Sequence, residues 1–274
     1  MTRFAILIAL MIAPLLAGCP ATPEGPQVPG SRPFLPGADP NRPETNRYSL
    51  IIVLRMATIE VPVGMASGSE DIWSYVDEEP VAVGRSATLG RNGLRVGRGR
   101  GSSWEDVVKI LKRLTGRSVQ ESQFVGLPGL PQHITLKEHQ PFQTIFLSYG
   151  DQTLSGADYP PGDCLLSLAC TLNEDDPSSL VVTGLPQIRS TSRRPQIVKN
   201  ETGVAIVDNP VMFPFTPLTF QLSVPKSDFL VIGPGAEARR PSSVGHNFLV
   251  RQKEGMEFET VLIVMPEAIR RPER

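Results

Sequence analysis

Tyr48-Ser-Leu-Ile-Ile-Val-Leu-Arg-Met-Ala-Thr-Ile-Glu-Val-Pro-Val63 is dense in β-branched residues and is halted by Pro62 and Gly64. Such side chains fit a pleated, half-buried surface, so the stretch predicts a long strand, with Arg55 and Glu60 turning its later half toward water. Similar text fills the rest of the chain from Ser118 onward. Strands are expected at 118–125, 133–137, 142–149, 164–172, 180–189, 203–207, 218–224, 228–233, 246–252 and 257–265. Asp175-Asp-Pro-Ser-Ser179 joins two of them as a hairpin, and Lys253-Glu-Gly-Met256 joins the last pair. The 24 glycines and 27 prolines supply the turns that so many short strands need. The fold class read from this pattern is α+β and strand-dominated, with mixed or antiparallel sheets.

Between the first strand and Ser118 the periodicity changes. Ser67-Gly-Ser-Glu70 has capping-box spacing ahead of Ile72, Trp73 and Val76, which predicts a short helix over about 69–77. The acidic Asp77-Glu78-Glu79 is read as a solvated helix end rather than a metal site, because no second set of oxygen ligands accompanies it. The main helix is expected over about 103–115. Ser102 and Glu105 form a capping box, Trp104, Val107, Val108, Leu111 and Leu114 make one apolar stripe, and Gly116 ends it. Residues 81–101 are expected to form a hairpin with Asn92-Gly93 as a type I′ turn.

Five arginines stand in that predicted hairpin, Arg85, Arg91, Arg95, Arg98 and Arg100, with no acidic residue among them. Arg91, Arg95, Arg98 and Arg100 are the candidate contacts for an anion or a partner. Gly97-Arg-Gly-Arg-Gly101 runs into a helix, a setting in which free backbone amides can cradle phosphate, although Ser102 breaks the GxGxxG pattern. The other reading is a hairpin edge guarded by charge. No aromatic residues interleave for base stacking, and 27 basic residues balance 28 acidic ones, so no nucleic acid partner is expected.

No HExxH, GxSxG or Walker loop occurs, and His133, His139 and His246 are the only histidines. No catalytic residue, metal site or cofactor is expected, and the chain reads as a non-enzyme. Cys164 and Cys170 sit on one strand about 20 Å apart, too far for the roughly 7 Å that a disulfide allows. Two buried free thiols are expected.

Toward the N-terminus, Arg3 is the one charge ahead of an apolar run from Phe4 to Leu16, too short to cross a membrane and apt as a secretory h-region. Leu16-Ala17-Gly18-Cys19 resembles the lipobox of bacterial lipoproteins. That resemblance implies a signal peptide at 1–18, lipidation of Cys19, and several acyl chains at about 0.8 kcal/mol per buried methylene as a membrane anchor. An ordinary signal peptide is the alternative. Pro20, Pro23, Pro26, Pro29, Pro33, Pro36, Pro40 and Pro43 then make 19–47 a tether, with one β-rich domain over 48–269 and a polar tail at 270–274. The expected place is the bacterial cell envelope, facing the periplasm or the exterior, with the outer membrane favoured.

The order of elements also resembles the C-terminal domain of bacterial secretins, the ring-forming gates of secretion systems and type IV pili. The resemblance is carried by Ile52–Val61, by the helix through Leu114-Thr-Gly116 with Ser118–Phe124 and Ile134–Thr135, by Asp163–Thr171 with Ser179–Ile188, by Ser227–Gly233, and by Glu259–Ile269. Where that family carries an apolar membrane-entering lip, this chain has Gly235-Ala-Glu-Ala-Arg-Arg-Pro-Ser-Ser243. The resemblance implies a structural component of a secretion or pilus assembly, with protein partners or self-assembly. The alternative from the arginines is a tethered, periplasm-facing binding module for an anionic or small ligand.

Overall fold

In the computed structural model, residues 50–151, 153–200 and 203–270 are described. Cys19, the signal segment 1–18, the tether 19–47 and residues 271–274 lie outside them. The first strand, β1 (Ile51–Pro62), leads into turns and a single 3-10 turn at Trp73–Tyr75, followed by the short β2 (Val76–Asp77). Thus the short helix expected at 69–77 is narrowed to that turn, because Ser67 and the neighbouring amides find a different acceptor. Ala66 and Ser67 N–H both donate to Glu259 Oε2 at 2.9 Å, and the Ser67 hydroxyl donates to Oε1.

Next come α1 (Val83–Arg91) and β3 (Leu94–Gly99), in place of the hairpin expected over 81–101. Asn92-Gly93 ends a helix instead of turning a hairpin. Asn92 Nδ2 donates to the Thr88 and Ser148 carbonyls at 2.8 and 2.7 Å, its Oδ1 accepts the Ser148 N–H, and Gly93 takes φ +78°. A type I′ turn and a helix C-terminus both call for a left-handed glycine, so the dipeptide alone does not separate them. A 3-10 turn at Gly101–Ser103 runs into α2 (Trp104–Thr115), giving the expected main helix. Its N-cap is Ser103 without a side-chain bond, so the Ser102–Glu105 capping box does not form, while Gly116 closes the helix at φ +66° as expected.

The remaining strands are β4 (Glu121–Gly126), β5 (Gln132–Gln140), β6 (Gln143–Ser148), β7 (Leu154–Tyr159), β8 (Gly162–Leu172), β9 (Ser179–Asn200), β10 (Gly203–Pro214), β11 (Phe220–Pro225) and β12 (Phe229–Pro234). Helix α3 (Val244–Leu249) then precedes β13 (Val250–Lys253) and β14 (Met256–Arg270). The strand expected at 246–252 therefore starts only at Val250, because Ser243 caps a helical turn by accepting the His246 N–H. The final strand continues through Arg270, which pairs with Ile51, so this first residue of the expected tail belongs to the sheet.

One sheet has the order β2-β3-β12-β14-β1-β4 with β13 beside β14, and a second has β10-β9-β8-β5 with β11 beside β9. Strands β6 and β7 pair by themselves, and among the described residues the pairings between these strands are antiparallel. Alternation divides the apolar residues between two cores. Leu54, Leu230, Ile232, Leu262 and Val264 pack with Cys164, Leu166, Leu168, Val182 and Leu222 between the sheets. Ala57, Val61, Val231, Val261 and Ile263 pack with Val107 and Leu111 of α2, and with Trp73. Strands β12 and β14 are buried on both faces, which is why they read as unbroken apolar runs.

Candidate functional site

The arginine-bearing segment folds as α1, β3 and the turn after it, and two of its five arginines, Arg95 and Arg98, face carboxylates. Arg95 lies 4.3 Å over the Trp73 ring, with Nη1 2.9 Å from Glu70 Oε1 and Nη2 2.5 Å from Glu78 Oε1. Arg98 faces Asp228 at 3.8 Å and Asp77 at 4.0 Å. Arg91 donates to the Tyr149 carbonyl at 3.3 Å, Arg85 reaches the Pro217 carbonyl, and Arg100 is exposed at the start of the turn. The glycines serve close packing. A Cβ on Gly99 would stand 2.1 Å from the Phe229 ring, one on Gly101 would stand 1.9 Å from the Ser227 carbonyl oxygen, and the Gly101 N–H is held by Asp228 Oδ1 at 3.2 Å. A carboxylate thus occupies the amide on which the phosphate reading depended.

The described contacts of the histidines pair none of them with another. His133 Nδ1 is 2.6 Å from Ser167 Oγ and 3.2 Å from Gln187 Nε2, and burial followed by Arg189 holds its pKa below the ordinary value. His139 ends an irregular stretch of β5 at φ +51°, and His246 Nδ1 meets the Ala238 carbonyl at 3.0 Å. Among the described residues no group of three His, Cys, Asp or Glu side chains could hold a metal ion. Cys164 and Cys170 are free and buried on the core face of β8. Burial pushes their thiols up to about 11 and about 12, so neither offers a thiolate near neutral pH.

The feature that sequence reasoning missed is the length of the β9–β10 pair. Strand β9 leaves β8 at Ser190, opposite Gly162, yet its pairing with β10 continues from Arg193–Pro210 out to Asn200–Gly203. The two strands therefore run on as a ribbon of about 25 Å, at ~3.3 Å per residue, with both outer edges unpaired among the described residues. Ile197 stands opposite Ile206 in this ribbon, and Ile197, Val204 and Ile206 are 73%, 68% and 74% exposed. The available signal was Ile197-Val198 and Val204-Ala-Ile-Val207 on either side of Gly203; the second falls in the strand expected at 203–207, whereas Ile197-Val198 lies beyond the strand expected to end at 189.

No family model, curated protein or solved structure matches the chain.

An isolated two-stranded ribbon is marginal in water, and natural sheets normally guard open edges with charge, proline or a cover. Here Arg193, Arg194, Pro195 and Pro210 guard the base, whereas the outer part presents β-branched side chains. Burying Ile197, Val204 and Ile206 in a contact would release about 5 kcal/mol before the costs of association. The geometry suits strand addition or face-to-face packing with another protein surface.

Proposed function

We propose that this chain is an envelope-anchored lipoprotein whose β-rich unit works as a non-catalytic structural component, joining copies or partners in a secretin-like assembly. The observation that carries the reading is the two-edged β9–β10 ribbon with its exposed Ile197, Val204 and Ile206. The lipobox around Cys19 supplies the anchoring half of the proposal, and the arrangement of elements supplies the family comparison. The Arg91, Arg95, Arg98 and Arg100 group is the weaker basis for an anion-binding module, since Arg95 and Arg98 already face carboxylates.

The test is native mass spectrometry with negative-stain imaging of full-length protein in detergent, beside a variant carrying Ile197→Asn, Val204→Thr and Ile206→Asn. Wild type is expected as a discrete oligomer or ring and the variant as a folded monomer. A wild-type monomer that also captures no envelope partner in crosslinking would overturn the structural role.

A further inference from the structure

A cavity of about 360 Å3 lies where the irregular part of β5 meets the end of α3 and β13, lined by Lys137, Gln140, His246, Arg251, Gln252 and Glu257. We propose that it is a binding site for a phosphate-type oxyanion, with Lys137 and Arg251 as its cationic walls. It is separate from the arginines of α1 and β3 and from the ribbon.

The argument begins with the backbone. Register shifts in the β5–β8 pairing fall on both sides of Lys137, between Thr135 and Lys137 and between Lys137 and Gln140, and such irregularities re-aim the side chains they carry. Lys137 ends up half-buried opposite Cys164, its ammonium 3.4 Å from the His246 carbonyl oxygen, and among the described residues it joins no ion pair. Burial holds its pKa below the ordinary lysine value, the Cys164 side chain opposes that, and Arg251 adds to it. A lysine placed this way is short of negative charge.

Its neighbours are short in the same sense. Arg251 Nη1 is 3.4 Å from Glu60 Oε1, but Glu60 is shared with Lys253, and Arg251 Nε is buried without a partner. Beyond Cys164, the cross-strand neighbour of Lys137, Gln143 Nε2 is also buried without a partner, while its Oε1 lies 4.0 Å from Cys164 Sγ. The unmet groups around Lys137 are thus donors. Glu257, the wall's one carboxylate, is exposed and pairs in register with Gln252. A small anion would satisfy an ammonium and a guanidinium at once, the combination that gives short charge-assisted bonds to phosphate. The cavity is roomier than inorganic phosphate needs, which admits a phosphate ester, either free in solution or as a lipid headgroup.

The experiment is calorimetric titration of full-length protein in a non-ionic detergent with inorganic phosphate and with glycerol 1-phosphate, repeated on Lys137→Met and Lys137→Arg. A co-sedimentation arm uses the Cys19→Ser chain with phosphatidylglycerol or phosphatidylcholine vesicles. Saturable binding of the soluble anions, weakened about tenfold or more by Lys137→Met and largely kept by Lys137→Arg, supports the site with a soluble ligand. Sedimentation with phosphatidylglycerol alone, lost in Lys137→Met, supports it with a headgroup ligand. Lys137→Met breaks no ion pair, and its melting temperature checks that it folds. Absence of binding in every arm, or binding equal in wild type and Lys137→Met, overturns the proposal.

Discussion

Glu259 is wholly buried, yet each of its oxygens is used. One accepts the Ala66 and Ser67 amides and the other the Ser67 hydroxyl, so this carboxylate in β14 holds the loop after β1. Removing it leaves two amides without an acceptor, each costing about 1–3 kcal/mol. Glu259→Ala is therefore expected to lower the stability measured by urea unfolding by about 3 kcal/mol or more. A loss under about 1 kcal/mol would show that the loop is held in another way. The thiols make a second prediction. Burial raises Cys164 and Cys170 to about 11 and about 12, so the native state keeps protons that the unfolded state sheds above its ordinary thiol pKa of about 9. Their contribution is complete below pH 9 and is lost as pH rises toward 11 and 12. Urea midpoints should fall over that window less steeply in Cys164→Ala/Cys170→Ala than in wild type, and parallel slopes would refute the assignment. At neutral pH both thiols should resist Ellman's reagent until the chain unfolds.

At the scale of elements, two cross-strand pairs set a glycine against a phenylalanine. Gly99 of β3 lies opposite Phe229 of β12, and Gly184 of β9 lies opposite Phe220 of β11. In both, a Cβ would come within about 2 Å of the ring, whose area covers the missing side chain. Gly99→Ala and Gly184→Ala are each expected to cost about 1–3 kcal/mol through overpacking, read as a drop in melting temperature. An unchanged value would mean that the ring swings aside freely. Strands β8, β12 and β14 were legible in the sequence because burial on both faces leaves few polar residues to confuse the pattern. Helix α1 was not legible. Its nine residues carry two glycines and bury only Thr88 and Leu89, so no apolar stripe marks it, and Asn92-Gly93 points equally well to a hairpin. The outer half of β9 was missed for the opposite reason, since Arg193, Arg194 and Pro195 interrupt it like a turn although its pairing with β10 continues.

For the whole molecule, the two halves of the functional proposal fail separately. Cys19→Ser is expected to move the protein from the membrane fraction to the soluble fraction without changing the melting temperature of the folded unit. Retention in the membrane would show that the ribbon, or another surface, provides the attachment. The candidate sites were only partly readable beforehand. Arg95 and Arg98 were visible as charge, but Glu70, Glu78 and Asp228 reach them only through the fold, and Lys137 and Arg251 approach one cavity from distant parts of the chain. Distance along the chain also governs how the molecule comes into being. Strand β1, the first described, lies between β14 and β4, and its twelve residues pair with the last strand from Ile51–Arg270 to Pro62–Phe258. A ribosome adds residues 63–255 between β1 and its partner β14, so this sheet closes only after β14 has emerged. Such long-range pairing makes for slow folding, and until then the apolar strip Ile51–Val61 is available to chaperones.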